Sequence, residues 1–140
     1  MAMVLALPVS SAFAYTDDVQ AGIEDVWQAA RKVLEPVGIK KMDEKKRKIE
    51  SRWVEDEVVR RNELFKGVMS QVYLRHYRMK ISLAESGDNV QIEVKGNFEE
   101  KPKQSAAAAP WRKLKMQMQD YDIERAYFMR VLAQLAKDRS

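Results

Sequence analysis

The residue types that most often carry out chemistry are scarce in this chain. His76 is the only histidine and there is no cysteine, so we expect no zinc or iron site, which normally needs two or more such ligands. The acidic runs Glu55-Asp56-Glu57 and Glu99-Glu100 could supply general acid–base catalysis, but no recognised nucleophile, phosphate loop or dinucleotide motif accompanies them. We therefore expect no catalytic activity and no cofactor, with His76 and these carboxylates as solvated surface residues.

Basic residues are numerous, but they are interspersed with acidic ones. The chain has 25 Lys and Arg against 21 Asp and Glu, a net charge of +4. Proteins that bind nucleic acid usually concentrate their positive charge on one surface. The mixed charge therefore predicts no nucleic-acid partner, and contact with an anionic membrane surface or envelope polymer is kept as an alternative.

The first 14 residues differ from the rest of the chain. They carry no charge, and the apolar run at 3–7 is followed by small residues that end in Ala12-Phe13-Ala14. This pattern is typical of the hydrophobic region and cleavage site of a secretory signal peptide, although the first basic residue is Arg31. We divide the chain into a signal-peptide-like segment, 1–14, and one domain, 15–140, and expect a periplasmic or secreted protein cleaved after Ala14.

Two amphipathic helices are predicted, one near each end of the domain. After Asp17 and Asp18, apolar residues recur at steps of three and four, and either aspartate suits an N-cap. The pattern predicts a helix from about 18 to 35. A second apolar stripe over 123–135 predicts a C-terminal helix, and compatible spacing lets this helix begin as early as Trp111.

Between the helices the hydrophobic period changes to two. Residues 48–53 alternate, which predicts a strand that pairs with 39–42 and has Trp53 on its inward face. Alternation is longest in 72–84 and 90–98, with turn residues between them, and predicts a hairpin of two long antiparallel strands.

Three parts of the chain do not fit this simple pattern. Residues 55–67 mix charged and apolar side chains and are interpreted as a strand continuation or a loop. Residues 99–110 are rich in alanine and are interpreted as a mobile linker. Arg75 lies on the apolar face of its strand, where a charge must be paired or must reach the edge of the sheet.

The order of elements is a helix, several antiparallel strands and a second helix. A sheet with one apolar face needs a cover, and the two amphipathic helices are the only candidates. The predicted fold is therefore α+β, with an antiparallel sheet of about four to five strands packed against N- and C-terminal helices in a helix-grip-like arrangement.

Short motifs in several elements are similar to those of a known family. They are Val26-Trp27-Gln28-Ala29-Ala30, Lys48-Ile49-Glu50-Ser51-Arg52-Trp53, Tyr77-Arg78-Met79-Lys80-Ile81, Val90-Gln91-Ile92-Glu93-Val94 and Leu132-Ala133-Gln134-Leu135. With them the chain resembles the BamC-type (NlpB/DapX-like) helix-grip domain of bacterial envelope lipoproteins, an accessory part of the outer-membrane β-barrel assembly machinery. The resemblance implies a binding domain without catalytic residues, and the sequence lacks the lipobox cysteine of that family.

Two functions are compatible with these observations. The first is a non-catalytic periplasmic interaction domain, an accessory factor of envelope or outer-membrane protein assembly whose partner is another envelope protein. The second is a carrier of a lipid or small apolar ligand in a cavity between the sheet and the C-terminal helix. The large residues on the apolar stripes indicate a filled core and favour the first. Aromatic, arginine and methionine residues are enriched at interfaces, so the predicted partner-binding residues are Trp111, Arg112, Met116 and Met118.

We predict that the exported protein begins at Tyr15, because signal peptidase would cut after the small residue Ala14. Mass spectrometry of periplasmic material should find this N-terminus. A control variant, Ala14→Leu, places a large residue before the cleaved bond and should remain uncut. Recovery of chains that begin at Met1, in the cytosol alone, would contradict the prediction.

Overall fold

The computed structural model describes residues 14–62, 69–105, 108–113 and 122–140. These residues form one antiparallel sheet whose strands are β1 (Ala14–Val19), β2 (Ile39–Asp43), β3 (Lys48–Ser51), β4 (Val54–Asn62), β5 (Met69–Ser86), β6 (Asn89–Pro102) and β7 (Arg112–Lys113). The helices are α1 (Ile23–Leu34) and α2 (Asp122–Arg139), with a short 3-10 helix at Lys103–Ser105. The predicted α+β class is confirmed, and the sheet has seven strands in the described residues rather than about four to five.

The long hairpin of β5 and β6 forms the centre of the sheet. The strand order is β1-β6-β5-β3-β2, while β4 also pairs with β5 and β7 also pairs with β6. The turn between β5 and β6 has two residues, and Gly87 has a φ of 62° there, as the tight turns of antiparallel hairpins require. Both predicted hairpins, β2–β3 and β5–β6, are confirmed.

Both helices lie on the same face of the sheet. α1 contacts β3 and β5, α2 contacts β6 and β1, and the two helices contact each other. The core between these layers consists of buried side chains from every one of these elements except β1, which contributes half-buried Tyr15 and Val19. The predicted inward position of Phe128 is confirmed, since this residue is 3% exposed. The opposite face of the sheet is left open by the helices.

The first helix begins later than predicted. Asp17 and Asp18 do not cap a helix; they are exposed residues of β1, and α1 begins at Ile23 with Gly22 as its N-cap. β1 pairs with β6 along its whole length, and Tyr15 packs against the core. These hydrogen bonds and contacts outweigh the local preference for helix, which is a weak constraint by itself.

Strand is found in two segments: 55–67, predicted as a strand continuation or a loop, and 99–110, predicted as a linker. Residues 54–62 form β4, a continuation of the preceding strand, and 63–68 lie outside the described residues. The predicted linker at 99–110 is wrong for its first four residues, because β5 is long enough to pair with β6 through Pro102. The early helix start at Trp111 is also wrong, since this residue leads into β7.

Between β3 and β4 the chain has one residue more than the strand it faces. Glu50 lies opposite Lys80, and Val54 lies opposite Tyr77. Four steps along this part of the chain therefore match three steps along β5. Such a β-bulge reverses which side chains face the core beyond it, because side chains alternate between the two faces of a strand.

Ser51 fills the gap that this bulge leaves between the strands. Its buried Oγ accepts a hydrogen bond of 2.9 Å from the backbone N–H of Met79 and donates one of 2.9 Å to the C=O of Arg52. Ile49 and Ser51 face inward as predicted. The predicted inward position of Trp53 is wrong, because the extra residue brings this side chain to the open face, where it is 37% exposed.

We predict that Ser51→Ala destabilises the fold by about 1–3 kcal/mol, because the buried N–H of Met79 then has no acceptor. The control is Ser82→Ala, a half-buried serine of β5, which should change the free energy of unfolding by less than about 0.5 kcal/mol. Urea unfolding of the two variants measures the difference. Equal midpoints would mean that Ser51 does not stabilise the bulge.

Candidate functional site

Three aromatic rings are stacked on the open face of the sheet. The imidazole of His76 lies between the indoles of Trp53 and Trp111, with ring centroids 3.9 and 3.7 Å away and interplanar angles of 21° and 14°. We call these three residues the outer-face stack. The prediction that His76 is solvated is wrong: it is 8% exposed, because the two indoles cover both faces of its ring.

Each ring of the outer-face stack is supplied by a different part of the sheet. His76 projects from β5, Trp53 follows the bulge before β4, and Trp111 directly precedes β7. β7 runs antiparallel to the end of β6, which brings Trp111 beside Lys101. The stack therefore joins the part of the chain before β4 to the part before β7 across the central hairpin.

A cation covers the remaining face of each indole. Arg78 Cζ lies 4.5 Å from the ring centroid of Trp53, and Lys101 Nζ lies 4.5 Å from that of Trp111. Because His76 already occupies one face of each indole, the two cations must take the opposite faces. The order along the column is cation, indole, imidazole, indole, cation, and each neighbouring cation and indole attract each other electrostatically.

Carboxylates fix the polar members of this column. His76 Nε2 lies 2.5 Å from Glu99 Oε1, and Arg78 Nε lies 3.3 Å from Glu50 Oε1. Glu99 is thus bound to the stack. The prediction that it is a freely solvated carboxylate is wrong. These contacts restrict the rotamers of His76 and Arg78 and hold the rings in one arrangement.

The inner face carries a second group of polar residues, at the end of the sheet where α2 begins. The guanidinium of Arg75 donates two hydrogen bonds to Asp56, from Nε to Oδ1 at 2.8 Å and from Nη2 to Oδ2 at 2.5 Å. The hydrogen bonds with Asp56 raise the pKa of Arg75. The predicted need of Arg75 for a partner is confirmed, and Asp56 is correspondingly not the solvated carboxylate that the sequence predicted.

The space between the sheet and α2, where a carrier would hold its ligand, is occupied by aromatic side chains in the described residues. Tyr15 packs against Phe128 with ring centroids 5.1 Å apart, and Tyr77 packs against Phe98 and Tyr127 at 5.4 and 6.4 Å. Burial and a hydrogen bond with Tyr127 raise the pKa of Tyr77. The side chains of the protein itself fill this part of the core.

The described residues contain part of the predicted binding site. Trp111 belongs to the outer-face stack, and Arg112 is exposed on β7. Met116 and Met118 lie outside the described residues. The structure therefore brings Trp111 together with residues that the sequence prediction did not include.

The residues missed by the sequence prediction are Trp53, His76, Arg78 and Lys101. Strand alternation over 72–84 places His76 and Arg78 on one face, so this part of the site could have been recognised. Trp53 gave no such signal, because regular alternation assigns it to the wrong face unless the bulge is known.

In the ranges that the structure describes, no three His, Asp or Glu side chains come together as a metal site would require. Neither α1 nor α2, the α-helices of those ranges, is long and apolar enough to cross a membrane.

The protein is similar to known proteins in fold, but not in sequence. The sequence matches no protein-family model and no curated protein. A DUF4468 family protein from Bacteroides ovatus is similar in structure, with a TM-score of 0.53 and 13% identity over 87% of this chain and 85% of that one. A TBP-like protein from Parabacteroides distasonis has a TM-score of 0.43 and 12% identity over 88% and 92% of the two chains. The similarity to the DUF4468 family protein concerns the α+β fold alone.

We predict that Trp53→Ala lowers the free energy of unfolding by only about 1–2 kcal/mol, because this partly exposed residue loses mainly its stacking contacts. The comparison is Phe128→Ala, which removes a buried ring and should cost about 3–5 kcal/mol. Urea unfolding measures both. A Trp53 variant as unstable as the Phe128 variant would show that the indole belongs to the core.

Proposed function

We propose that the protein is a non-catalytic interaction domain of the bacterial envelope that binds another envelope protein through the outer-face stack. The observation that carries this proposal is the position of Trp53 and Trp111 on the open face of the sheet, where they cover no part of the core. Tryptophan and arginine are the residue types most enriched among side chains that dominate the energy of protein–protein binding.

The outer-face stack is held rigid before any partner arrives. The contacts of His76 with both indoles and with Glu99 restrict the rotamers of all three rings. Association normally costs free energy for the side chains that it immobilises, and a rigid surface reduces that cost. The exposed edges of the rings thus offer an arranged aromatic surface to a partner.

The geometry favours a protein partner over a nucleic acid. Proteins that bind single strands stack bases on free aromatic faces, whereas the faces of Trp53 and Trp111 are covered by His76, Arg78 and Lys101. A partner that leaves the column intact meets ring edges. Such edges suit the apolar and aromatic side chains of another protein.

The alternative function, a carrier of lipid or another small apolar ligand, has less support. Its ligand would lie between the sheet and α2, where Tyr77, Phe98, Tyr127 and Phe128 are packed against one another or against β1. A ligand of that kind would have to displace these rings. An interaction domain needs no such change.

The proposed envelope location rests on the signal-peptide-like segment and on the resemblance of short sequence motifs to those of BamC-type domains. Cleavage after Ala14 would leave Tyr15 to Val19 of β1, which pair with β6. The domain at 15–140 would then retain the sheet and both helices in the periplasm. We propose an accessory role in the assembly of envelope or outer-membrane proteins, in line with that similarity.

The test is capture of envelope proteins by the tagged full chain expressed in its own host, with chemical cross-linking before extraction. Trp111→Ala should reduce the specifically captured partner by roughly tenfold or more, the effect of losing one dominant contact. The control is Met129→Ala, which removes a side chain that is 51% exposed on α2, in the helical layer. This variant should capture the partner as the wild type does.

Near-ultraviolet circular dichroism and the melting temperature establish that both variants are folded. Undiminished capture by a folded Trp111→Ala variant would exclude the outer-face stack as the binding surface. Lipid that copurifies with the native chain, released by Phe98→Ala and retained by Trp111→Ala, would instead support the carrier.

A further inference from the structure

A carboxyl group is buried between α2 and the sheet. Glu124, in the first turn of α2, is 0% exposed, and within the part of the chain that the structure describes neither of its carboxyl oxygens has a hydrogen-bond partner. It belongs to the same buried stripe of the helix as Phe128, Val131 and Leu135. An ionised carboxylate in these surroundings would lose its hydration without gaining a compensating contact.

The backbone of β6 leaves room for this carboxyl group at Gly96. A Cβ atom on Gly96 would lie 2.6 Å from Glu124 Oε1, 2.3 Å from Phe98 Cε2 and 2.8 Å from Met79 Cε. The side chain of Glu124 is therefore packed directly against the strand, between apolar groups. Glycine at this position and a carboxyl group opposite it fit each other sterically.

Among the residues that the structure describes, the charged and titratable groups of the neighbouring elements do not neutralise Glu124. They are Tyr15 of β1, Asp56 of β4, Arg75 and Tyr77 of β5, Glu100 of β6, and Asp122, Tyr127 and Arg130 of α2. α1 places Lys32 against α2 at the far end of that helix, where it pairs with Asp138 at 2.9 Å.

In the described ranges, the cation that acts on Glu124 is Arg75, and the hydrogen bonds of Arg75 go to Asp56. The second nearby charge, Asp122, has the same sign as an ionised Glu124 and repels it. The described residues thus bury this carboxyl group and pack closely around it, but none of them gives it a counter-ion of its own.

We propose that Glu124 is a proton-binding site: the folded domain holds it as a neutral carboxylic acid, and the first turn of α2 docks on β6 only while that proton is bound. Loss of the proton to solvent leaves a carboxylate, which can regain its hydration only if the turn moves away from the strand. The proposal concerns a different part of the molecule from the outer-face stack and does not depend on it.

The direction of the pKa agrees with this geometry. Burial raises the pKa of Glu124 above its usual value of 4.5, and Asp122 adds to the effect. The backbone N–H of Glu124 itself, which does not reach hydrogen-bond geometry with the carboxyl group, and Arg75 oppose it. At a pH between the pKa values of Glu124 in the unfolded and the folded state, only the folded state keeps the proton. Stability due to Glu124 is therefore full below about 4.5 and is lost as the pH rises through the folded-state pKa.

The experiment compares the unfolding of the wild type and Glu124→Gln between about pH 5 and pH 9. The amide cannot lose a proton, so the variant should become the more stable protein as the pH rises. Within the titration window, the ratio of the two unfolding constants should change about tenfold per pH unit. Parallel pH profiles would overturn the proposal, because Glu124 would then change its protonation identically in both states.

The matched control is Glu24→Gln, in the first turn of α1. Hydrogen bonds from Gln28 and Arg47 lower the pKa of Glu24, so its contribution is lost only as the pH falls through the acid range. This variant should run parallel to the wild type over the same pH interval. Glu124→Met, neutral and of similar length, serves in place of the amide if that variant does not fold.

Amide hydrogen exchange tests the docking step separately. At the high-pH end, the amides of the first turn of α2 should exchange faster in the wild type than in Glu124→Gln at the same pH, while those of β5 should not differ. Equal exchange in the first turn would overturn the link between the proton and docking, even if the stability profiles differ.

Discussion

One extra residue between β3 and β4 determines which side chains meet on each face of the sheet. The bulge is stable because the hydroxyl of Ser51 satisfies the backbone N–H of Met79 and the C=O of Arg52. Beyond it, Trp53 faces the open side and Asp56 faces inward. Regular alternation would instead bury Trp53 and turn Glu55 and Glu57 towards the core, at a cost in lost hydration.

The outer-face stack and the ion pair of Arg75 with Asp56 both depend on this shift. On the open face, it brings Trp53 against His76 and completes a column of rings from three separate segments of the chain. On the inner face, it places Asp56 beside Arg75, whose guanidinium then binds that carboxylate. Because Arg75 gives these hydrogen bonds to Asp56, Glu124 is left without a hydrogen-bond partner among the described residues.

The α+β class, the long hairpin and the core stripe of α2 were predictable because burial on one face imposes a regular period on the sequence. β1 was not, since a short strand gains most of its stability from its partner β6. The outward position of Trp53 could not be inferred, because a bulge leaves no trace in the alternation. Glu124 could have been recognised: helical spacing puts it in line with Phe128, and Gly96 interrupts an apolar series on β6.

The outer-face stack also gives the protein an optical property of its own. Two indole chromophores, Trp53 and Trp111, are held at a fixed mutual orientation on either side of one imidazole, so their electronic transitions couple. Trp27, on the inner face of α1, is buried and reports on the core. The circular dichroism of the native chain therefore contains a component that belongs to the open face alone, and detachment of β7 would be visible in it without any added label.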